Sequence, residues 1–220
     1  MSDQVLSFIG GTGPEGIGLA IRFANAGFPI IIGSRQQERA EEAAAKVLEV
    51  TAKASVRGMD NESAVKTGDV ILITIPYSGQ RPMLEALHEA IGDKIVISTV
   101  VPLAFEKGVP VRYVTPPDNS AAEESQKLAP KARVVGAFQN LSAPALMDLN
   151  ETVDADVVVC SDDAEAKQIT MDLASKIKGV RGIDGGALEN SRYVEAVTAL
   201  LLNINRRHKG AHSMVKIAGV

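Results

Sequence analysis

Tryptophan is absent from this chain of 220 residues, cysteine occurs once, and aromatic residues make up only 4%. A single cysteine, Cys160, excludes an internal disulfide framework. It reads instead as a small buried hydrophobe in a reduced, cytoplasmic protein. No apolar run approaches the roughly 20 residues of a membrane helix. Met1-Ser2-Asp3-Gln4-Val5 lacks the basic and apolar pattern of a secretory leader. Basic residues are outnumbered, and the formal net charge of -4 argues against nonspecific nucleic-acid binding. The three histidines, His88, His208 and His212, share no metal-ligand spacing with Cys160 or an acid cluster, so no metal is expected. With so few aromatics the interior must be built from Ala, Val, Ile and Leu. Hydrophobic residues at 45% suffice for a sizeable core.

What the chain does have begins at residue 5. The apolar run Val5 to Ile9 leads into Gly10-Gly11-Thr12-Gly13-Pro14-Glu15-Gly16, and a helical pattern follows from Ile17 to Ala24. Gly11, Gly13 and Gly16 fit the G-x-G-x-x-G spacing of a dinucleotide-binding turn. Gly11 is expected to make the tight turn, Gly13 to let the backbone approach a pyrophosphate, and Gly16 to let the helix pack near the strand. The helix N-terminus then directs N–H groups and a partial positive charge at the phosphates.

Ala26-Gly27-Phe28-Pro29 closes this helix, with Gly27 past its end. Ile30-Ile31-Ile32 reads as a strand of a parallel sheet buried on both faces. About twenty residues beyond the glycines, an NAD-binding chain carries an acid for the ribose 2′-hydroxyl. Here that place reads Gly33-Ser34-Arg35, with Arg39 one helical turn on. A hydroxyl and guanidinium groups suit a 2′-phosphate, which points to NADP(H). The competing reading makes Arg35 and Arg39 solvated charges beside Glu38, Glu41 and Glu42.

Strand-like runs then alternate with helical patterns, which predicts a Rossmann-type, doubly wound, mostly parallel α/β sheet. Helices are expected over Gln37–Lys53, Asp60–Val65, Gln80–Ile91, Leu141–Leu149, Asp162–Ile177 and Ala187–Arg207. Ser120-Ala121-Ala122-Glu123 has the spacing of a capping box and should start another. Strands are expected at Ser55–Arg57, Asp69–Ile75, Lys94–Ser98, Arg133–Phe138, Asp156–Cys160 and Val180–Asp184. Residues 99–119 read as loop. The division expected is a nucleotide-binding domain over 1–150 and a smaller α/β part over 151–220 that completes the substrate site. The long last helix carries Val194, Val197, Leu200, Leu201 and Ile204, more apolar surface than one stripe requires, which suggests a homodimer.

The chain resembles the NADPH-dependent coenzyme F420 reductases over essentially its whole length. The resemblance lies in Ile9 to Gly13, Gly33-Ser34-Arg35, Ile73 to Pro76, Ser120 to Glu123, Val134 to Phe138, Asn190 to Glu195 and Leu200 to Asn205. It implies hydride transfer between NADP(H) and an 8-hydroxy-5-deazaflavin. It further implies that Thr12, Ser34, Arg35 and Arg39 bind NADP, and that Ile75 and Pro76 line its path. Ala137 and the loop from Gln139 through Asn140, Ser142 and Ala143 would lie where the two rings meet. Some members of that family carry His where this chain has Gln139 and Pro where it has Ser142. Tyr77-Ser78-Gly79 also departs from a bulkier polar run.

The chemistry agrees with a flat acceptor. Hydride transfer between rings needs proximity and orientation, and the cofactors carry the reactive centres. No acid that would protonate a ketone is in evidence. Tyr77, Tyr113 and Tyr193 are followed four residues later by Arg81, Pro117 and Val197, not by lysine. The alternatives are a reductase of another acceptor (a flavin, a quinone or a small imine) and a non-enzymatic NADP-sensing module. Arg206-Arg207-His208-Lys209 reads either as a contact for an anionic cofactor tail or as a solvated helix end. The amides of Gln139 and Asn140 suit a ring carbonyl or a local turn. Asp162 and Asp163 are expected at a helix start.

Overall fold

The computed structural model describes residues 4–51 and 54–220. β1 (Leu6–Ile9) runs into α1 (Pro14–Asn25), β2 (Ile30–Ser34), α2 (Gln37–Val50), β3 (Val56–Asp60) and α3 (Asn61–Thr67). The chain then crosses back to β4 (Val70–Ile73), α4 (Gln80–Ile91) and β5 (Ile95–Ser98). A small hairpin of β6 (Leu103–Ala104) and β7 (Arg112–Tyr113) precedes α5 (Ala121–Leu128) and β8 (Arg133–Gly136). The rest is α6 (Ala143–Met147), β9 (Ala155–Val159), α7 (Ala164–Ala174), β10 (Val180–Asp184) and α8 (Ser191–Arg207). Six strands form one parallel sheet in the order β3-β2-β1-β4-β5-β8. This is the doubly wound Rossmann-type arrangement. β9 and β10 pair in parallel beside it, tied to β8 by an antiparallel bridge between Gly136 and Cys160.

The strands are apolar because both faces are covered. Along β1, Leu6 and Phe8 pack into the layer of α1, while Ile9 packs into the layer of α3 and α4. The first layer continues without a break into Val157, Val159, Ala166 and Leu173 of the C-terminal part. Phe8, Phe23, Phe28 and Phe138 gather there, with Phe23 at its centre.

Several ends are set by capping. Asp60 precedes α3 and accepts the Ser63 N–H at 2.9 Å. Ser120 accepts the Glu123 N–H at 3.0 Å and its hydroxyl donates to the Glu123 carboxylate. Asp163 caps α7 through the Ala166 N–H, whereas Asp162 accepts the Leu188 N–H from another part of the chain. Gly27 adopts φ 93° just past α1, where glycine carries no penalty.

The differences from the sequence expectations sit at ends. α2 stops at Val50, and the expected end at Lys53 lies outside the described residues. Residues 99–119 hold the short hairpin. The long last helix is broken at its start, with a 3-10 turn at Leu188–Asn190 before α8. No helix among the described residues is long and apolar enough to cross a membrane.

Candidate active site

The chain winds outward from β1 to β3 and then from β4 to β8, so the strand order reverses between β1 and β4. In such sheets the crevice lies beyond the carboxyl ends of the strands at that reversal. A cleft of about 1110 Å³ lies there. Gly10 and Thr12 line it from the turn after β1, Ser34, Arg35 and Arg39 from β2 and α2, and Ile75 and Pro76 from beyond β4. Six residues singled out in the sequence thus share one cavity: Thr12, Ser34, Arg35, Arg39, Ile75 and Pro76.

The turn has one feature that the motif reading does not name. Gly10, the residue before the motif glycines, is left-handed, with φ 70°. A Cβ on Gly10 would also fall 1.9 Å from Ile75 Cγ2, so this glycine brings the turn against the opposite wall. Gly11 and Gly16 serve close packing. A Cβ on Gly11 would lie 2.7 Å from Phe8 Cβ, and one on Gly16 would lie 2.7 Å from Gly11 Cα. Gly13 is different, since a Cβ there would meet nothing within 4 Å. The space before it is open, as close approach by a ligand requires.

Pro14, which has no N–H, and Glu15 open α1, and the Glu15 and Gly16 N–H groups precede its first hydrogen bond, from the Ile17 N–H to the Gly13 carbonyl at 2.9 Å. Glu15 Oε1 is buried with no hydrogen-bond partner. Burial raises its pKa from 4.5 to about 8, so the carboxyl is mostly protonated at neutral pH. Ser34 is buried and its Oγ accepts the Gln36 N–H, while Arg35 and Arg39 are exposed.

Gly11, Gly13, Pro14, Glu15 and Gly16 adjoin this cleft in sequence but are not among its lining residues, and the remaining expected residues lie apart from it, beyond the ends of β5 and β8. Ala137 is fully buried and its N–H donates to the Ser98 carbonyl at 3.2 Å. Phe138 adopts φ 71°, a conformation costly for a non-glycine residue. Its ring packs edge-on against Phe23 of α1, at 5.9 Å between centroids. Gln139 is 6% exposed; its Nε2 donates to the Ser98 carbonyl at 3.3 Å, and its Oε1 has no partner. Ser98 Oγ beside it is also buried and unpartnered. Asn140 is committed elsewhere. Its Nδ2 donates to the Val194 carbonyl and to Thr198 Oγ1, both at 2.9 Å, which ties this loop to α8. Ser142 and Ala143 are half-buried at the start of α6.

Comparison with known proteins places this geometry. A family model described as NADP oxidoreductase, coenzyme F420-dependent, matches residues 5–102. An F420-dependent NADP reductase of Methanocaldococcus jannaschii is 43% identical over 220 residues, covering 98% of both chains. The chain belongs to the F420-dependent NADP reductases. A further member, from Methanothermobacter thermautotrophicus, is 40% identical over 98% of this chain and 95% of its own. A solved structure of a candidate F420-dependent NADP-reductase from an Arthrobacter species superposes with a TM-score of 0.83, over 99% of this chain and 100% of that one. At 22% identity that likeness speaks for the fold alone.

For an F420-dependent NADP reductase, part of the cleft lining has no signature in the sequence motifs. Pro82, Met83 and Leu87 of α4 line the cleft, as do Asp60, Asn61 and Glu62. The amphipathic spacing of α4 shows which residues face inward, but not that a cavity lies there. Glu195 of α8 is fully buried and binds the start of α5, accepting the N–H groups of Ala121 and Ala122 at 3.0 and 3.1 Å and the Tyr113 hydroxyl at 3.0 Å. Arg206 donates to the Val109 carbonyl at 2.8 Å, which anchors one member of the basic cluster to the hairpin loop. Cys160 is buried, and its thiol is pushed up to about 11 by desolvation, so it is a poor nucleophile. Among the described residues no group of three or more His, Cys, Asp or Glu is arranged to hold a metal ion.

Proposed function

We propose that this protein transfers a hydride between NADP(H) and the deazaflavin coenzyme F420, and that it does so as a cytoplasmic homodimer. The observation that carries the reading is the single cleft that joins the glycine turn, the Ser34–Arg35 pair and the Ile75–Pro76 wall in a chain of this family. The residues present fit a dinucleotide. Gly13 leaves its front open, Asn61 Oδ1 stands as an unpartnered acceptor, and Arg35 and Arg39 supply positive charge in the same cavity.

The nicotinamide and the deazaflavin would supply the reacting carbons, so the protein's task is alignment. The turn Gly11, Thr12 and Gly13, with Pro14, Glu15 and Gly16 opening α1, would hold the pyrophosphate. Arg35 and Arg39, with Ser34, would hold the 2′-phosphate, and Ile75 and Pro76 would guide the reduced ring. Ala137, Gln139, Ser142 and Ala143 would form the floor of the second ring's slot, with Asn140 fixing that floor to α8. In this reading residues 1–150 carry the dinucleotide, and residues 151–220 complete the substrate site and the dimer interface. The exposure of Tyr193 at 65% and Leu200 at 59% on α8 supports the dimer.

The test is isotopic. Enzyme, NADPH deuterated at the transferable C4 position and oxidised deazaflavin should give reduced deazaflavin that retains the deuterium. Loss of the label to water, or faster reduction of free flavin or a quinone under matched conditions, would remove the assigned acceptor. For assembly, light scattering that finds one 23.2 kDa species at low micromolar concentration would remove the dimer.

A further inference from the structure

At the junction of β3 and α3, three consecutive polar residues reach the same cleft as Arg35: Asp60, Asn61 and Glu62. Two are already engaged. Asp60 Oδ1 accepts the Ser63 N–H at 2.9 Å, and Glu62 Oε1 pairs with Lys66 Nζ at 2.6 Å. Asn61 Oδ1 is buried and no donor reaches it. A buried acceptor that has lost water and gained no partner costs free energy, which a bound donor would recover.

The surroundings describe the ligand. A Cβ on Gly33 would lie 3.0 Å from Asn61 Oδ1, so the glycine makes room for this amide. Pro82, Met83 and Leu87 give the same cavity apolar surface. A flat heteroaromatic ring matches that pairing, with apolar contact for its face and a polar group for its edge.

We infer that Asn61 is a specificity residue that reads the edge of the dinucleotide's purine, its Oδ1 accepting from the exocyclic amino group of adenine. The inference rests on the NADP(H) reading above. Hypoxanthine carries a carbonyl where adenine carries the amino group. It would bring acceptor against acceptor.

The experiment measures dissociation constants, not turnover, for NADPH and its nicotinamide hypoxanthine analogue. Wild type should bind NADPH roughly five- to tenfold more tightly than the analogue, the worth of one neutral hydrogen bond. Asn61→Leu should weaken NADPH by that factor and leave the analogue within about twofold, so that the preference disappears. Equal affinities in wild type, or equal weakening of both ligands in the variant, overturns the assignment. If Asn61→Leu does not fold, the wild-type pair alone decides. If wild type binds neither ligand, the dinucleotide reading itself falls, and Asn61 falls with it.

Discussion

The Arg22 guanidinium of α1 donates from Nε to the Leu146 carbonyl at 2.8 Å, across 124 residues of sequence. Nη2 reaches the carbonyls of Ala145, Asp148 and Glu151 as well, so one buried cation satisfies the exposed end of α6 and the loop after it. Gly18, one turn earlier on α1, leaves room for Leu146, whose Cβ would lie 2.7 Å from an added Cβ. The helix that starts at the glycine turn is thereby locked to the segment that follows the Gln139 loop.

Arg22→Met should therefore destabilise the protein strongly. The methionine fills the space but leaves several carbonyls without donors, at a cost on the order of 3 kcal/mol or more. Urea unfolding should show a lower midpoint with an unchanged slope. A shift below about 0.5 kcal/mol would mean that water satisfies those carbonyls.

Two glycines of the turn should separate binding from folding. Gly13→Val adds a side chain into open space, so the fold should survive while dinucleotide binding is lost. Gly16→Ala would force a Cβ to within 2.7 Å of Gly11 Cα and should lower the melting temperature. Calorimetry with and without NADPH reads both effects. Unchanged NADPH binding by Gly13→Val would refute the assigned approach.

Arg35→Ala should weaken NADPH by about 1.5–3 kcal/mol, the worth of charge-assisted contacts, while NADH is almost unaffected. Titration of both coenzymes checks this. Equal losses would show that Arg35 does not read the 2′-phosphate.

Glu15 makes stability depend on pH. Its pKa is raised from 4.5 to about 8 on folding, so its contribution is full below pH 4.5 and is lost as pH rises through 8. Glu195, raised to about 7 by burial, acts in the same direction. The ligand-free protein should thus melt lower at pH 9 than at pH 5.5. Glu15→Gln should reduce that fall, gaining on the order of 2–4 kcal/mol over wild type at pH 9. Parallel melting curves for the two proteins would place the titration elsewhere.

Gln139→Ala removes a buried amide at the end of β8 while leaving the nucleotide cleft intact. Deazaflavin reduction should fall by about tenfold, with NADPH affinity within twofold of wild type. Stopped-flow reduction and direct titration separate the two. Equal loss of both would place Gln139 in the fold rather than at the acceptor.

Much of the architecture was legible because local chemistry decides it. The apolar triplet Ile30-Ile31-Ile32, the limits of α4 at Gln80 and Ile91, and the Ser120 cap all follow from residues within a few positions. The glycine spacing showed where the turn lies, but not that Gly10, just before the motif, is its left-handed residue. Asp162 and Asp163 look alike in sequence, yet one caps α7 and the other binds Leu188.

By itself, the sequence determined the alternation of strands and helices, the turn after β1 and the positive charge where β2 ends. Periodicity, caps and glycine spacing act over a single element, and the chain spells them out in order. Tertiary structure alone decided that Asn61 has no donor, that Asn140 belongs to α8, and that Glu195 binds the start of α5. Those outcomes depend on which groups packing brings together and which it shuts off from water. The energy of a buried polar atom is set by neighbours tens of residues away, and no local pattern records them.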